Sequence, residues 1–461
     1  MFRTALAGCV ILLGLAAPAG ADDPAGRYAI VVKKEVAGGP WGKVVRSLEA
    51  KYRGKAFVYG ESPEEVRKDV GAYHPRYVCF VCKPTENFPD FALAANKFCR
   101  SLDDDPYVDA IWGILTGFDE NHALELAKAE PIVIRRAFTK TLGSWLNWVP
   151  EGDYVTEWTR DRGELGEKKL GEEFALRAGG PTSDADDARY VHKLFSEDRA
   201  DLIIGSGHGG HHNWMLMYPS GKGYLTARGG QLTMTAPGVE LPLSASRPKV
   251  YWAVGNCLTG VVNADRSSFQ DSYALAWMKN GAKQYVGAVQ STWYELNWNM
   301  ADWFLKQEDR WTFAESLFLL RQWSRYLLAE GIVSGRDREG TEFTDGIFVL
   351  YGDPALEARV QKSRDPALAE RLDVAESGDR VRITYNVKVN FVGEGNKRTA
   401  EKYDGWRIFS YLLPFEVEDT RVESTDFARV VLPGETIVWD AGKGLKVGEE
   451  RTVTFTAKRV P

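Results

Sequence analysis

The amino-acid sequence predicts an α/β protein with a mostly parallel sheet flanked by helices, followed by a smaller antiparallel β unit. Two patterns support this prediction. Up to about residue 356, short apolar runs that indicate strands alternate with segments of helical spacing, as in parallel α/β sheets. From about Leu372 onward, apolar and polar residues alternate with a period of two, which indicates half-buried antiparallel strands.

The composition limits the classes of function. The chain has 461 residues, enough for two or three domains that each have a core. It is 44% hydrophobic and 26% charged, and its net charge of −6 provides no basic surface for nucleic acid. Beyond the N-terminal segment, no stretch is long and apolar enough to cross a bilayer. We therefore expect neither a nucleic-acid partner nor a membrane span.

Residues 1–21 predict a secretory signal peptide. Arg3 precedes an apolar run that ends in Ala19-x-Ala21, the pattern of a cleavage site. The segment around Cys9 resembles a lipoprotein acylation box, but the apolar sequence before it is too short. We therefore expect a mature protein that is secreted or periplasmic.

The α/β elements are predicted in chain order from apolar periodicity and from capping residues. Ser62-Pro63-Glu64-Glu65 has the form of a capping box, and Ser183 and Ser268 stand where helices should begin. The predicted strands lie at 27–32, 77–82, within 103–117, at 202–204, 250–254, 284–291 and 346–356, and the predicted helices at 41–52, after 62, at 91–102, 183–195, 267–282 and in two stretches between 297 and 328.

Four cysteines would remain after export, namely Cys79, Cys82, Cys99 and Cys257. Two disulfides are possible in an oxidising compartment, and a disulfide at Cys257 is the structural alternative to a reactive thiol. Cys79 and Cys82 are three residues apart in a predicted strand, so they point to opposite faces and should not bridge each other. We predict that these two are buried structural thiols.

The acidic run Asp103-Asp104-Asp105 allows two interpretations. Three carboxylates could hold calcium as a structural ion. A solvated turn is the simpler interpretation, and we favour it. No cofactor is required by any pattern in the sequence.

Two glycine-rich turns that follow predicted strands contain the residues of chemical interest. His208 comes just after the apolar run 202–204, and Cys257 comes just after the run 250–254. In open α/β sheets, sites form outside the carboxyl ends of the strands, so adjacent parallel strands would place both residues over one crevice. A thiol beside an imidazole is the minimal apparatus for nucleophilic acyl transfer. We predict that Cys257 and His208 form such a pair.

Two other interpretations of this region remain open. His208 is followed by His211 and His212, and three histidines could bind zinc and activate water, although no carboxylate ligand stands nearby in sequence. We expect His211 and His212 to be partly exposed loop residues. The chain could also be a non-catalytic surface protein that binds through its β unit.

The C-terminal unit has the strand pattern of an immunoglobulin-like β-sandwich. Residues 381–391 alternate almost perfectly, and 406–413, 429–432 and 451–457 continue this pattern between glycine turns. The unit contains no evident chemistry.

Taken together, Ser206-Gly207-His208-Gly209, Gly255-Asn256-Cys257 and 350-LYGDPAL-356 resemble a gingipain-type cysteine peptidase, a family related to caspases, clostripain and legumain. The resemblance covers roughly residues 28–356, and the trailing β-sandwich also matches that arrangement. Together with the predicted signal peptide at 1–21 and the predicted immunoglobulin-like sandwich at 370–461, it implies an N-terminal α/β subdomain at 22–135 and a caspase-like catalytic subdomain at 136–365.

The resemblance also implies a role for individual residues. Cys257 would be the nucleophile and His208 the general acid/base, and the N–H groups of Gly209 and Cys257 would form the oxyanion hole. The residues Gln290, Ser291 and Trp293 would line the primary specificity pocket for a peptide or protein substrate. The sequence identifies neither an acidic pocket residue nor the carboxylate that would orient His208.

Overall fold

The computed structural model describes residues 27–140, 143–265, 267–307, 309–377, 379–392 and 407–460. The predicted signal peptide, residues 1–21, lies outside these residues. The helices are α1 Lys34–Ala37, α2 Gly42–Tyr52, α3 Arg67–Gly71, α4 Pro89–Phe98, α5 Glu120–Ala127, α6 Asp184–Ser196, α7 Tyr273–Lys279, α8 Ala301–Phe304, α9 Phe313–Ala329 and α10 Gly335–Ile347.

The strands form five sheets. They are β1 Tyr28–Lys33, β2 Lys55–Tyr59, β3 Tyr77–Val81, β4 Ile111–Leu115, β5 Ile132–Ile134, β6 Arg136–Thr139, β7 Glu151–Val155, β8 Glu164–Lys168, β9 Ala175–Ala178, β10 Leu202–Gly205, β11 Gly209–Gly210, β12 Asn213–Met215, β13 Tyr224–Arg228, β14 Gln231–Ala236, β15 Val239–Leu243, β16 Lys249–Ala253, β17 Ala282–Ala288, β18 Phe348–Gly352, β19 Ala358–Val360, β20 Leu368–Ser377, β21 Arg380–Val389, β22 Ile408–Leu412, β23 Val417–Thr425, β24 Arg429–Val431, β25 Thr436–Asp440 and β26 Glu450–Arg459.

The largest sheet has twelve strands in the order β2-β1-β3-β4-β18-β17-β16-β10-β6-β7-β8-β9 and is mostly parallel, as predicted. The strands β2-β1-β3-β4 pair in parallel, and so do β17-β16-β10-β6-β7. Between these two sets lies β18, which is antiparallel to β17 and bridges to β4 through one residue pair. The loops after β3 and β16 meet at one edge, where the N–H of Asn263 donates to the carbonyl of Asn87 at 3.1 Å.

The central strands are buried on both faces because helices cover the sheet. All residues of β10 and β16 are buried. The N-cap serines Ser62 and Ser183 accept backbone N–H groups as the sequence predicted. Ser268 caps only a short 3₁₀ turn, and the helix predicted over 267–282 is confined to α7.

Helix α9 is buried along nearly its whole length because it lies between the large sheet and the C-terminal sheets. Its Gln322 side-chain amide donates to the carbonyl of Val108 at 2.8 Å and to the hydroxyl of Thr436 at 3.2 Å. The hydroxyl of Ser410 donates to the carbonyl of Leu319 at 2.7 Å. Helix α9 therefore contacts both the α/β part and the C-terminal unit.

The C-terminal unit consists of two antiparallel sheets, β20-β21-β26-β23 and β22-β25-β24. As the alternation predicted, one face of β21 is buried from Val381 to Val389. Phe391, expected on the same face, lies past the end of the strand and packs against the ring of Trp148. Within the described part of the chain, no helix is long and apolar enough to cross a membrane.

Candidate active site

Strands β10 and β16 are adjacent and parallel, as the sequence predicted, and Gly205 lies opposite Ala253 in their register. His208 follows the end of β10 by three residues, and Cys257 follows the end of β16 by four. Both residues therefore lie in neighbouring loops at the carboxyl ends of these strands. The side chain of His208 is exposed and that of Cys257 is partly exposed, so both are open to a molecule that enters from solvent.

The two turns that contain these residues are hydrogen-bonded to each other. The buried side-chain amide of Asn256 donates to the carbonyl of Ser206 at 2.9 Å and to that of Gly207 at 3.3 Å. The N–H of Val254 donates to the carbonyl of Gly205 at 2.8 Å. Because buried polar groups are costly when unpaired, these bonds hold the two turns in fixed relation.

Cys257 is a free thiol held by the segment after β17. The N–H of Thr292 donates to its Sγ at 3.3 Å, and the hydroxyl of Thr292 lies 3.5 Å from Sγ. The next residue, Leu258, has a φ of +59°, a left-handed conformation that is uncommon for a non-glycine residue and concentrates at functional sites.

The three other described cysteines are also free, and all three are buried. The prediction that Cys79 and Cys82 are buried thiols that do not bridge each other is confirmed. Burial raises the pKa of Cys79, Cys82 and Cys99. These three thiols therefore stay protonated at neutral pH.

The imidazole of His208 packs on an aromatic side chain. Its ring lies 4.5 Å from the ring of Tyr218, centroid to centroid, at an interplanar angle of 40°. The ring of Trp158 packs edge-on against Tyr218 at 5.3 Å and holds it from the other side. Among the described residues, no hydrogen bond joins His208 to the sulfur of Cys257. In uncomplexed enzymes such bonds are often long and tighten only when substrate binds.

Gly209 lies in the two-residue strand β11, opposite Trp214 in β12. The N–H of Met215 donates to the carbonyl of His208, so the neighbouring pair is hydrogen-bonded. Hydrogen-bonded and non-hydrogen-bonded pairs alternate along an antiparallel ladder, and the N–H of Gly209 is therefore directed away from β12. A Cβ atom at Gly209 would lie only 2.8 Å from the methyl of Thr259, so the hairpin packs tightly on the cysteine turn.

Glu157 is a site residue that the sequence reasoning missed. The hydroxyl of Ser206 donates to its carboxylate in a short hydrogen bond. Gly207 has a φ of +81°, and a Cβ atom there would be 3.1 Å from the same carboxylate. Burial raises the pKa of Glu157. The carboxylate therefore supports the backbone on which His208 stands, although 49 residues separate Glu157 from Ser206.

A buried ion pair lies at the end of the neighbouring strand β6. Lys140 donates to both carboxylate oxygens of Asp187, at 2.7 and 2.9 Å, and both side chains are fully buried. Lys140 also lowers the pKa of Glu157 through its charge, although burial has the larger and opposite effect. No sequence pattern indicated this pair, because its two members come from different elements.

The two histidines that follow His208 have different environments. His212 is exposed, as expected, but His211 is buried, and the expectation of a partly exposed loop residue was wrong for it. His211 lies on the inner side of the hairpin, where its carbonyl accepts the N–H of Tyr273 at 3.0 Å. Burial lowers the pKa of His211, so its ring is neutral.

The three histidines do not converge on a common point. In the part of the chain that the structure describes, the one group of three potential ligands whose donor atoms lie within 4.8 Å of one another is Asp103, Asp105 and Asp109. Hydrogen bonds from the turn's own N–H groups reach these carboxylates, such as that from Tyr107 to Asp105 at 2.7 Å. The carboxylates therefore accept hydrogen bonds from the backbone of their own turn, which fits the interpretation of this run as a turn. The predicted trio contained Asp104 in place of Asp109.

The predicted pocket residues lie in the segment that follows β17, which ends at Ala288 and is shorter than predicted. Gln290 is half-buried and its carbonyl accepts the N–H of Leu258 at 3.2 Å, whereas Ser291 is exposed. Trp293 is 44% exposed, so it is not a core residue. Its ring lies beside Phe343 and under the guanidinium of Arg336, 5.5 Å from the ring centre.

Comparison with known proteins adds no assignment. No family model matches the chain, and no curated protein matches it.

Proposed function

We propose that this protein is an exported cysteine endopeptidase of gingipain type, with Cys257 as nucleophile and His208 as general acid/base. The observation that carries the proposal is the pairing of β10 with β16, which brings a partly exposed free thiol and an exposed imidazole to one edge of a mostly parallel sheet. The three other cysteines that the structure describes are buried.

The oxyanion hole is assigned to the N–H groups of Gly209 and Cys257. The outward direction of the Gly209 N–H and the close packing of its hairpin on the cysteine turn support this assignment. Two backbone donors fixed in advance can stabilise the charge that develops on a carbonyl oxygen, and they need no reorganisation during the reaction.

The substrate is a peptide or protein, and Gln290, Ser291 and Trp293 line the pocket for the residue before the scissile bond. Trp293 directly follows Thr292, whose N–H contacts the sulfur of Cys257, and its indole is exposed. An exposed tryptophan offers a large rigid face for a substrate side chain, which supports this role.

In the proposed reaction, a peptide carbonyl settles against the Gly209 and Cys257 N–H groups. The thiol proton passes to His208, and the thiolate attacks the carbonyl carbon to give a tetrahedral intermediate. His208 then protonates the departing amine, and water hydrolyses the thioester with His208 as base. Glu157 positions the histidine turn through Ser206, and no metal or cofactor takes part.

The same proposal extends to the architecture. The α/β part would be a caspase-like catalytic unit, and the two C-terminal sheets an immunoglobulin-like sandwich that stabilises or tethers it. Helix α9 supports the stabilising role because it contacts both parts.

The test is labelling of the mature protein, without residues 1–21, with a thiol-directed acylating probe, followed by peptide mapping. We expect labelling at Cys257 alone, since burial keeps the other three thiols of the mature protein protonated, and we expect it to disappear in His208→Ala. The matched control is His212→Ala, an exposed histidine of the same hairpin, which should label normally.

Labelling that persists in His208→Ala would overturn the assigned dyad. A native protein in which Cys257 stays unreactive would overturn the peptidase proposal and favour a non-catalytic binding protein with the same fold.

A further inference from the structure

The contacts of the Cys257 sulfur point to another residue that takes part in the chemistry. Besides the 3.3 Å bond from its N–H, Thr292 places its hydroxyl oxygen 3.5 Å and its carbonyl oxygen 3.6 Å from Sγ. The same hydroxyl donates to the carbonyl of Gly255 at 2.9 Å. One threonine therefore contacts both ends of the three-residue turn that contains the cysteine.

The backbone fixes the position of this threonine. The N–H of Gly260 donates to the carbonyl of Ala288 at 2.9 Å, and that of Leu258 donates to the carbonyl of Gln290 at 3.2 Å. The chain after β17 thus continues alongside the cysteine turn, with bonds at every second residue, and Thr292 is the next residue in that series. The contact of its N–H with the sulfur therefore does not depend on the side chain at this position.

We propose that Thr292 is a catalytic residue that stabilises the thiolate of Cys257, an inference that rests on the proposed function. When the S–H bond breaks and its proton passes to His208, the Thr292 N–H stays on the sulfur. The Thr292 hydroxyl then turns from the carbonyl of Gly255 to the negatively charged sulfur. When the sulfur forms its bond to the carbonyl carbon, the charge moves to the substrate oxygen and the hydroxyl returns to Gly255.

Threonine suits this role for two physical reasons. Hydrogen bonds to charged acceptors are stronger than those to neutral ones, so the hydroxyl gains by moving from a carbonyl to a thiolate. The branched Cβ restricts the side chain to few rotamers, which keeps the hydroxyl close to both acceptors. Thr292 also stands between Ser291 and Trp293, so a substrate in the proposed pocket contacts the segment that holds the sulfur.

The experiment measures the second-order rate of Cys257 alkylation by iodoacetamide in the full chain. We expect about a tenfold loss in Thr292→Val, which keeps the shape and the N–H but removes the hydroxyl, and less than a threefold loss in Thr292→Ser. The control is Thr259→Val, which removes a hydroxyl bonded to the carbonyl of Asn256 at 3.2 Å in the same turn. It should react like the wild type.

The outcomes separate the two proposals. If wild-type Cys257 reacts in a His208-dependent manner but Thr292→Val reacts equally fast, the role of Thr292 is overturned and the peptidase proposal stands. The role is also overturned if Thr292→Ser is as slow as Thr292→Val, because packing would then be the cause. If wild-type Cys257 is unreactive, both proposals fail. Thr292→Ala removes the same hydroxyl and replaces Thr292→Val should that variant fold poorly.

Discussion

The substitution Gly209→Ala tests the oxyanion hole directly. The new Cβ would lie 2.8 Å from the methyl of Thr259 and 3.1 Å from the Cβ of Asn256. Carbon atoms in good contact are about 3.5–4.0 Å apart, so the hairpin must retreat by at least about 0.7 Å. A catalytic donor displaced by about 1 Å costs on the order of a hundredfold in rate, whereas overpacking of this size costs about 1–3 kcal/mol of stability.

The assay compares two reactions at Cys257. Acetylation by p-nitrophenyl acetate passes through a tetrahedral oxyanion, whereas alkylation by iodoacetamide is a direct displacement that forms none. In Gly209→Ala we expect acetylation to fall about a hundredfold and alkylation to fall less than threefold. The matched control is Gly210→Ala, whose Cβ would approach only the side chain of Asn213, with the side-chain oxygen at 3.3 Å, and it should acetylate nearly normally. Equal losses in both reactions, or no loss in either, would refute the assignment of this N–H to an oxyanion hole.

Two further predictions concern the buried charges beneath the site. Lys140→Met should lower the free energy of unfolding by about 3–5 kcal/mol in urea denaturation, because Asp187 is left as an unpaired buried charge; Lys140→Met combined with Asp187→Leu should recover much of that loss. For Glu157, burial raises the carboxyl pKa in the folded state. At a pH between the unfolded and the folded pKa values, the native protein therefore holds a proton that the unfolded chain has released. The contribution of this group to stability therefore declines as pH rises above about 4.5, by at most about 1.4 kcal/mol per pH unit, until the raised folded-state pKa is passed. Glu157→Gln should show a shallower decline over this range. Identical pH slopes for the two proteins would contradict the role of Glu157.

The sequence predicted the pairing at the centre of the site because its signals are local. A fully apolar run that stops at glycine marks both β10 and β16, and strands of this kind are buried in parallel sheets. The side chain just past each strand end is then fixed by topology. Five strands of the same sheet, β2 and β6 to β9, were not predicted. Strands β7 and β8 contain charged residues and a glycine each, and β9 is exposed throughout, so they have no apolar periodicity to detect.

The support of the site could not be predicted for a different reason. Glu157 contacts Ser206 only because β7 and β10 lie in one sheet with β6 between them, and no local spacing encodes that distance. His211 was misjudged because the sheet β11-β12-β13-β14-β15, into which its hairpin extends, was not predicted. A histidine next to glycine is expected to be exposed unless a second layer covers it.

The described residues show no hydrogen bond between His208 and Cys257, although the two turns that contain them are hydrogen-bonded to each other. The amide of Asn256 joins the two turns, and the bonds from Leu258 and Thr292 join the cysteine turn to the chain after β17. Because these bonds hold both turns, we expect the sulfur and the imidazole to come together by rotation about side-chain χ angles. Side-chain rotations are fast, so we expect an entering carbonyl to align the two groups without any domain movement.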